Sequence, residues 1–124
     1  MALDALDHYT IQCEDLSQTR NFYCDGLGLE DGPRPNIGIP GHWLYCGGAP
    51  VVHLMALRAA PAETGNETGA FDHIAFRGTD AGAMIARLKA RNIDYRENRL
   101  ADFGLHQVFV RDPNGIMVEM NFRA

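Results

Sequence analysis

An eleven-residue segment occurs twice in this chain, and that repeat limits the possible folds more than any other feature. Residues 6–16 read LDHYTIQCEDL and residues 71–81 read FDHIAFRGTDA. Asp7 therefore matches Asp72, His8 matches His73 and Asp15 matches Asp80, each at an offset of 65. The ends of the two halves correspond as well. GGAPVVHLMAL (47–57) is similar to NGIMVEMNF (114–122), with His53 opposite Glu119 at an offset of 66. Such a repeat describes one supersecondary unit written twice, and a unit that cannot bury its apolar face alone must pair with its copy.

Period and punctuation outline each unit. Residues 5–12 alternate and are rich in β-formers, which predicts a strand. Asp15 is placed to cap a helix over 16–25, with Leu16, Phe22 and Tyr23 on its apolar side and Gly26 and Gly28 closing it. Residues 31–41 carry three prolines and three glycines, a composition suited to a loop or irregular edge and not to a central strand. HWLYC and PVVHLMAL then read as two strands joined at Gly47-Gly48. The second half repeats the pattern. It has a strand at 71–77, an Asp80-capped helix over 81–91 with Met84, Ile85 and Leu88 inside, and a breaker at Asn92. A short strand at IDYRE follows, then a hairpin of LHQVFVRD and GIMVEMNF turning at Asp112-Pro113-Asn114-Gly115. The small, polar stretch 59–70 is expected to be an exposed connection. The order is strand–helix–strand–strand–strand, twice.

Because side chains alternate across a strand, spacing assigns them to faces. His8 shares a face with Thr10 and Gln12, His53 with Val51 and Met55, His73 with Ala75 and Arg77, and Glu119 with Met117 and Asn121. Each lies opposite the more apolar set that would pack on the helices. Two imidazoles and a carboxylate make a neutralising, borderline-hard donor set for a divalent first-row ion, with open positions for water or substrate. A buried Glu without such a partner would cost several kcal/mol or take up a proton. His8, His73 and Glu119 are therefore the candidate metal ligands. His53 is a candidate fourth ligand, or an acid/base beside the ion, as Glu119 also is. His106 shares a face with Val108 and Val110 while Gln107 faces with Phe109 and Arg111. Alternation alone does not decide which of the two lines the pocket, and His106 stays a further acid/base candidate. Trp43, Tyr45, Met55 and Met117 are candidate pocket walls, and Arg34 and Arg77 are candidates to bind an anionic substrate.

Charge narrows the function classes. The chain has 124 residues, enough for one domain with one core, and a formal net charge of −5 without a Lys/Arg cluster. That argues against nucleic acid and anionic membranes as partners. No stretch approaches the roughly 20 apolar residues of a membrane span, and the first residues lack the basic end and apolar run of a signal peptide. Cys13, Cys24 and Cys46 form an odd, scattered set with no CxxC pair. This argues for buried apolar roles and a reducing cytoplasm.

LDHYTIQCEDL with NFYCDGLGL, PGHWLY leading to VVHLMAL, FDHIAF, and QVFVRDPNGIMVEMNF together resemble the vicinal-oxygen-chelate superfamily over nearly the whole chain. That superfamily contains glyoxalase I, extradiol dioxygenases, methylmalonyl-CoA epimerase and fosfomycin-resistance enzymes. The resemblance implies an α+β fold of two βαβββ modules forming a cupped mixed β-sheet with helices on its outer face, around one divalent metal. Residues 1–124 would form a single domain, with module 1 over about 4–58, a linker over 59–70 and module 2 over 71–123. It also implies that His8, His73 and Glu119 match the recurrent metal positions, and that His53 stands where glutathione-dependent glyoxalases have Glu and epimerases Gln. Those glyoxalases carry a glutathione-binding Arg shortly after the first-strand His. Here the strand reads His8-Tyr9-Thr10-Ile11-Gln12, so glutathione dependence is not expected.

One fold hosts several chemistries. The expected function is a metal-dependent glyoxalase-like lyase or isomerase acting on a small metabolite chelated through neighbouring oxygens, with Glu119 or His53 moving a proton. The alternatives are an Fe(II)/Mn(II) extradiol-type dioxygenase and a non-catalytic binder of the bleomycin-resistance type. The ion would be Fe, Mn, Ni, Zn or Co, and a homodimer is expected because such modules commonly pair within or between chains.

Overall fold

In a computed structural model the chain divides into two compact units, residues 1–61 and 62–124, and the structure describes residues 6–56 and 73–123. The predicted connection 59–70, the first two residues of the strand at 71–77 and residue 5 of the first strand lie outside the described residues.

The first unit runs β1 (Tyr9–Cys13), α1 (Leu16–Asn21), a π-helical turn (Phe22–Gly26), β2 (Glu30–Gly32), β3 (Gly41–Cys46) and β4 (Ala49–Ala56). Its sheet order is β1-β4-β3-β2, with β1 parallel to β4 and the other pairs antiparallel. The second unit runs β5 (His73–Gly78), α2 (Ala81–Ala90), β6 (Arg96–Leu100), a 3-10 turn (Ala101–Phe103), β7 (Leu105–Arg111) and β8 (Met117–Arg123). Its order, β5-β8-β7-β6, and its strand directions repeat those of the first unit. Both units are thus βαβββ modules with a four-stranded mixed sheet, as the internal repeat implies.

Both helices begin where an aspartate offers an acceptor to the first turn's orphan N–H groups. Asp15 accepts from the Gln18 amide at 2.9 Å and Asp80 from the Ala83 amide at 3.0 Å. Helix α2 ends on Asn92, whose positive φ of 56° lets Ile93 N–H reach back to the Leu88 carbonyl. The helix expected over 16–25 differs from the observed element. It stays α-helical to Asn21 and then widens, Leu27 N–H bonding the Phe22 carbonyl at 3.1 Å. Over five residues an apolar pattern does not distinguish i→i+4 from i→i+5 bonding.

Helix α1 packs on β3 and β4, and α2 packs against β7. The covered faces carry the cores: Ile11, Leu44, Val52 and Leu54 with Tyr23 in the first unit, and Val108, Val110, Val118, Met120 and Phe122 with Leu88 in the second. Each such side chain contributes about 1.5–3 kcal/mol by leaving water. The hairpin turn is held by Asp112, whose Oδ1 accepts from the Asn114 and Ile116 amides at 2.8 Å each.

Of the two edge strands, one matches expectation and one departs from it. β2 is a three-residue edge strand that starts just ahead of the Pro/Gly-rich stretch. β6 occupies 96–100 and not IDYRE (93–97). Every residue of β6 is exposed, so this strand has no apolar alternation to read. Ile93 and Tyr95, which suggested a strand, instead line a cavity.

Candidate functional site

The faces turned away from the helices hold the polar groups. In the second unit strand register arranges them in rows. Arg96, Phe109, Glu119 and Ala75 are consecutive cross-strand partners from β6 to β5. Asn98, Gln107, Asn121 and Arg77 form the row on one side, and Arg111, Met117 and His73 the row on the other.

His73 Nε2 lies 3.7 Å from Glu119 Oε1, with side-chain exposures of 43% and 17%. The other carboxylate oxygen, Oε2, accepts from Asn121 Nδ2 at 2.9 Å. Asn121 Oδ1 in turn accepts from Gln107 Nε2 at 3.0 Å, and Gln107 Oε1 from Asn98 Nδ2 at 2.9 Å. A carboxylate only accepts, so it dictates which way Asn121 points, and each amide then dictates the next. Three amides therefore donate in one direction along β6, β7 and β8 toward Glu119. Sequence reasoning missed Asn121 and Asn98 as functional groups. The available signal was the hairpin turn, which sets Gln107 opposite Asn121.

His106, the further acid/base candidate, is turned the other way. It shares the helix-side face with Val108 and Val110, and its Nε2 lies 3.4 Å from Glu97 Oε1. Register thus assigns Gln107 and not His106 to the face of Glu119, a choice that a single strand's alternation leaves open.

In the first unit His8, His53 and Trp43 form a continuous stack. The His8 and His53 rings are 3.8 Å apart and 12° from parallel, and Trp43 lies 4.2 Å from His53 at the same angle. Asp7 Oδ2 is 2.6 Å from His8 Nδ1. An ionised carboxylate needs a donor, so Nδ1 carries the proton and Nε2 is left to coordinate. His53 Nε2 donates to the Pro50 carbonyl at 2.9 Å, leaving the lone pair on Nδ1. Burial pushes the His53 pKa down, and its electrostatic interaction with the stacked His8 ring pushes the same way.

The remaining pocket candidates are placed individually. Met55 lies opposite Gly41 and Gln12 on the same face as His53. Tyr45 donates its hydroxyl to the Pro33 carbonyl at 2.7 Å, its ring covering Gly32. Arg34 donates from Nη2 to the Ile39 carbonyl at 2.8 Å and packs where a Cβ on Gly41 would sit. Arg77 shares its face with His73 and is exposed.

Donor chemistry in both units suits a divalent first-row ion. The 3.7 Å between His73 Nε2 and Glu119 Oε1 is within the span one ion covers with two bonds of about 2.0–2.2 Å. Among the described residues, no three His, Cys, Asp or Glu side chains gather closely enough to hold an ion by themselves.

Comparison with known proteins identifies the family and the fold. The sequence model of the Glyoxalase/Bleomycin resistance protein/Dioxygenase superfamily matches residues 5–120. The chain belongs to this superfamily. One relative, Glyoxylase I 4 of Arabidopsis thaliana, is 28% identical over 124 residues, covering 95% of this chain and 70% of that protein. Among solved structures, the lactoylglutathione lyase of Agrobacterium tumefaciens aligns at a TM-score of 0.69 and 22% identity, covering 98% of this chain and 96% of that one. A variant of the genomically encoded fosfomycin resistance protein of Listeria monocytogenes, complexed with Mn(II) and a dihydroxypropylphosphonic acid, aligns at a TM-score of 0.75 and 16% identity, covering 98% and 94%. At these identities the two structures establish the superfamily's fold for this chain.

Proposed function

We propose that this chain is a metal-dependent glyoxalase-like enzyme, a lyase or isomerase acting on a small metabolite bound through neighbouring oxygens and not dependent on glutathione. The observation that carries this reading is the His73–Glu119 pair, in which one carboxylate oxygen faces the imidazole at 3.7 Å and the other is pinned by Asn121 at 2.9 Å. The proposed protein donors are His8, His73 and Glu119, with His53 as the fourth. The Mn(II) held by the Listeria protein supports a divalent ion in this superfamily.

A bound divalent ion would supply Lewis acidity toward the substrate's oxygens. The chain's own residues do the rest. Asn121 holds Glu119 in one orientation, so the carboxylate is placed to coordinate or to accept a proton from carbon beside a carbonyl. Asp7 orients His8. His53, kept neutral by burial and by His8, carries a lone pair on Nδ1 and is the second candidate base. Trp43 and Pro50 fix its ring.

The test is metal content after anaerobic purification, by elemental mass spectrometry, for the wild type and for H8A, H53A, H73A and E119A. Near-stoichiometric nickel, zinc or cobalt, lost in H73A and E119A, is the expected result. Iron or manganese lost in the same way would move the reaction class to the dioxygenase. Metal retained by both variants would refute the ligand assignment. We further propose that residues 1–124 form one domain acting as a homodimer in the cytoplasm; light scattering coupled to size exclusion checks the dimer.

A further inference from the structure

The second unit carries a cavity of about 500 Å3 whose lining includes Asp94, Tyr95, Arg96, Phe109, Arg111 and Met117. It opens where the chain before β6 diverges from β7, beyond the last cross-strand pair, Arg96 with Phe109. From this cavity we infer an oxyanion subsite for the substrate, formed by Arg96 and Arg111 with Phe109 and Met117 as its apolar flank.

Register ties the cavity to the proposed metal pair. Phe109 is the cross-strand partner of Glu119, and Met117 is the partner of His73, all on the face turned away from α2. Arg96 stands two strands from Glu119 in the same row, and Arg111 two strands from His73 in the same row. Two interstrand steps are about 10 Å, and the long guanidinium arms shorten the gap. A small molecule with an anionic group at one end and neighbouring oxygens at the other spans this distance.

The two arginines are held but not neutralised. The Arg96 guanidinium lies 4.5 Å above the Phe109 ring, a contact that positions the cation and leaves its N–H edge exposed. Arg111 donates one N–H, from Nη1, to the Gly115 carbonyl at 2.8 Å. Neither forms an ion pair among the described residues. Among the described residues Asp94 is the only carboxylate lining the cavity, so the local balance is two positive charges against one negative. The planar donor forks suit a carboxylate, phosphate or phosphonate. The ring and thioether suit an apolar segment next to it. The subsite rests on cavity, charge and register; its service to catalysis rests on the function proposed above.

The test is calorimetric titration of the full chain with phenylphosphonate, benzoate and uncharged benzyl alcohol, with metal content measured on the same samples. The wild type is expected to bind one or both anions and not the alcohol; the stronger anion identifies the oxyanion class. R96Q and R111Q should each weaken anion binding at least tenfold while keeping the wild-type metal content. R96K and R111K should recover part of the loss, and D94N should tighten binding. H73A should lose metal and keep the anion. Absence of anion binding in the wild type would overturn the subsite, and so would equal binding by the arginine variants. Anion binding lost in H73A but kept in the arginine variants would place the anion on the metal pair, also overturning it. If no variant or wild-type sample holds metal yet anion binding still depends on the arginines, the subsite stands and the enzyme proposal fails.

Discussion

Replacing Asn121 with Leu keeps the side chain's branched shape and removes both ends of its amide. Glu119 Oε2 then loses the donor at 2.9 Å, and Gln107 loses the acceptor at 3.0 Å. A hydrogen bond to a charged acceptor contributes about 1.5–3 kcal/mol. Only 17% of the Glu119 side chain is exposed, so water replaces little of it. The freed carboxylate is no longer held in one orientation. On the proposed reading the cost appears as weaker divalent-ion binding of roughly 10–100-fold, the usual effect of removing a partner that orients a metal ligand. The assay is the dissociation constant for zinc and manganese by competition with a fluorescent chelator, with circular dichroism to show that the variant folds. The chain of amides adds a graded expectation. Loss should be largest for N121L, smaller for Q107L and smallest for N98L, because each lies one hydrogen bond farther from the carboxylate. Equal affinities in all four proteins, within twofold, would refute the reasoning, and so would a reversed order.

Three further predictions follow from packing and charge. Leu44 is fully buried under α1 at 0% exposure, so Leu44→Ala should lower the urea unfolding free energy by about 2–5 kcal/mol, the usual range for a Leu cavity. Asp112 is 5% exposed and accepts two backbone amides of its turn; Asp112→Ala should cost about 1–3 kcal/mol in the same assay, since two part-buried donors lose their acceptor. The His53 pKa lies below its ordinary value of 6.5, because of burial first and His8 second. Below pH 6.5 the unfolded chain therefore takes up a proton that the folded chain resists, and stability falls as pH drops from 6.5 toward the depressed folded value. Urea midpoints of the wild type and His53→Gln across pH 5 to 8 check this: the variant should show a shallower acid loss, and an equal or steeper one would contradict it.

Much of this protein is determined by local pattern in its sequence. The matched segments around His8 and His73, with His53 set against Glu119, dictate two copies of one unit. Alternation then places all four of those residues on the faces away from the helices, since neighbouring residues on a strand must point oppositely. Asp15, Asp80, Asn92 and the Asp112–Gly115 turn are legible because capping and turn chemistry operates over four or five residues. Tertiary structure alone decides which strands meet and in what register. The edge strand β6 has no apolar alternation, so only its pairing with β7 locates it at 96–100. Alternation puts His106 and Gln107 on opposite faces of β7 without saying which face is which, and only the packing of α2 against β7 decides that. The amide chain into Glu119, the His8–His53–Trp43 stack and the arginine-lined cavity likewise join residues far apart in the chain. Their contacts depend on how the buried faces dock, and polar side chains on the opposite face follow that docking without specifying it.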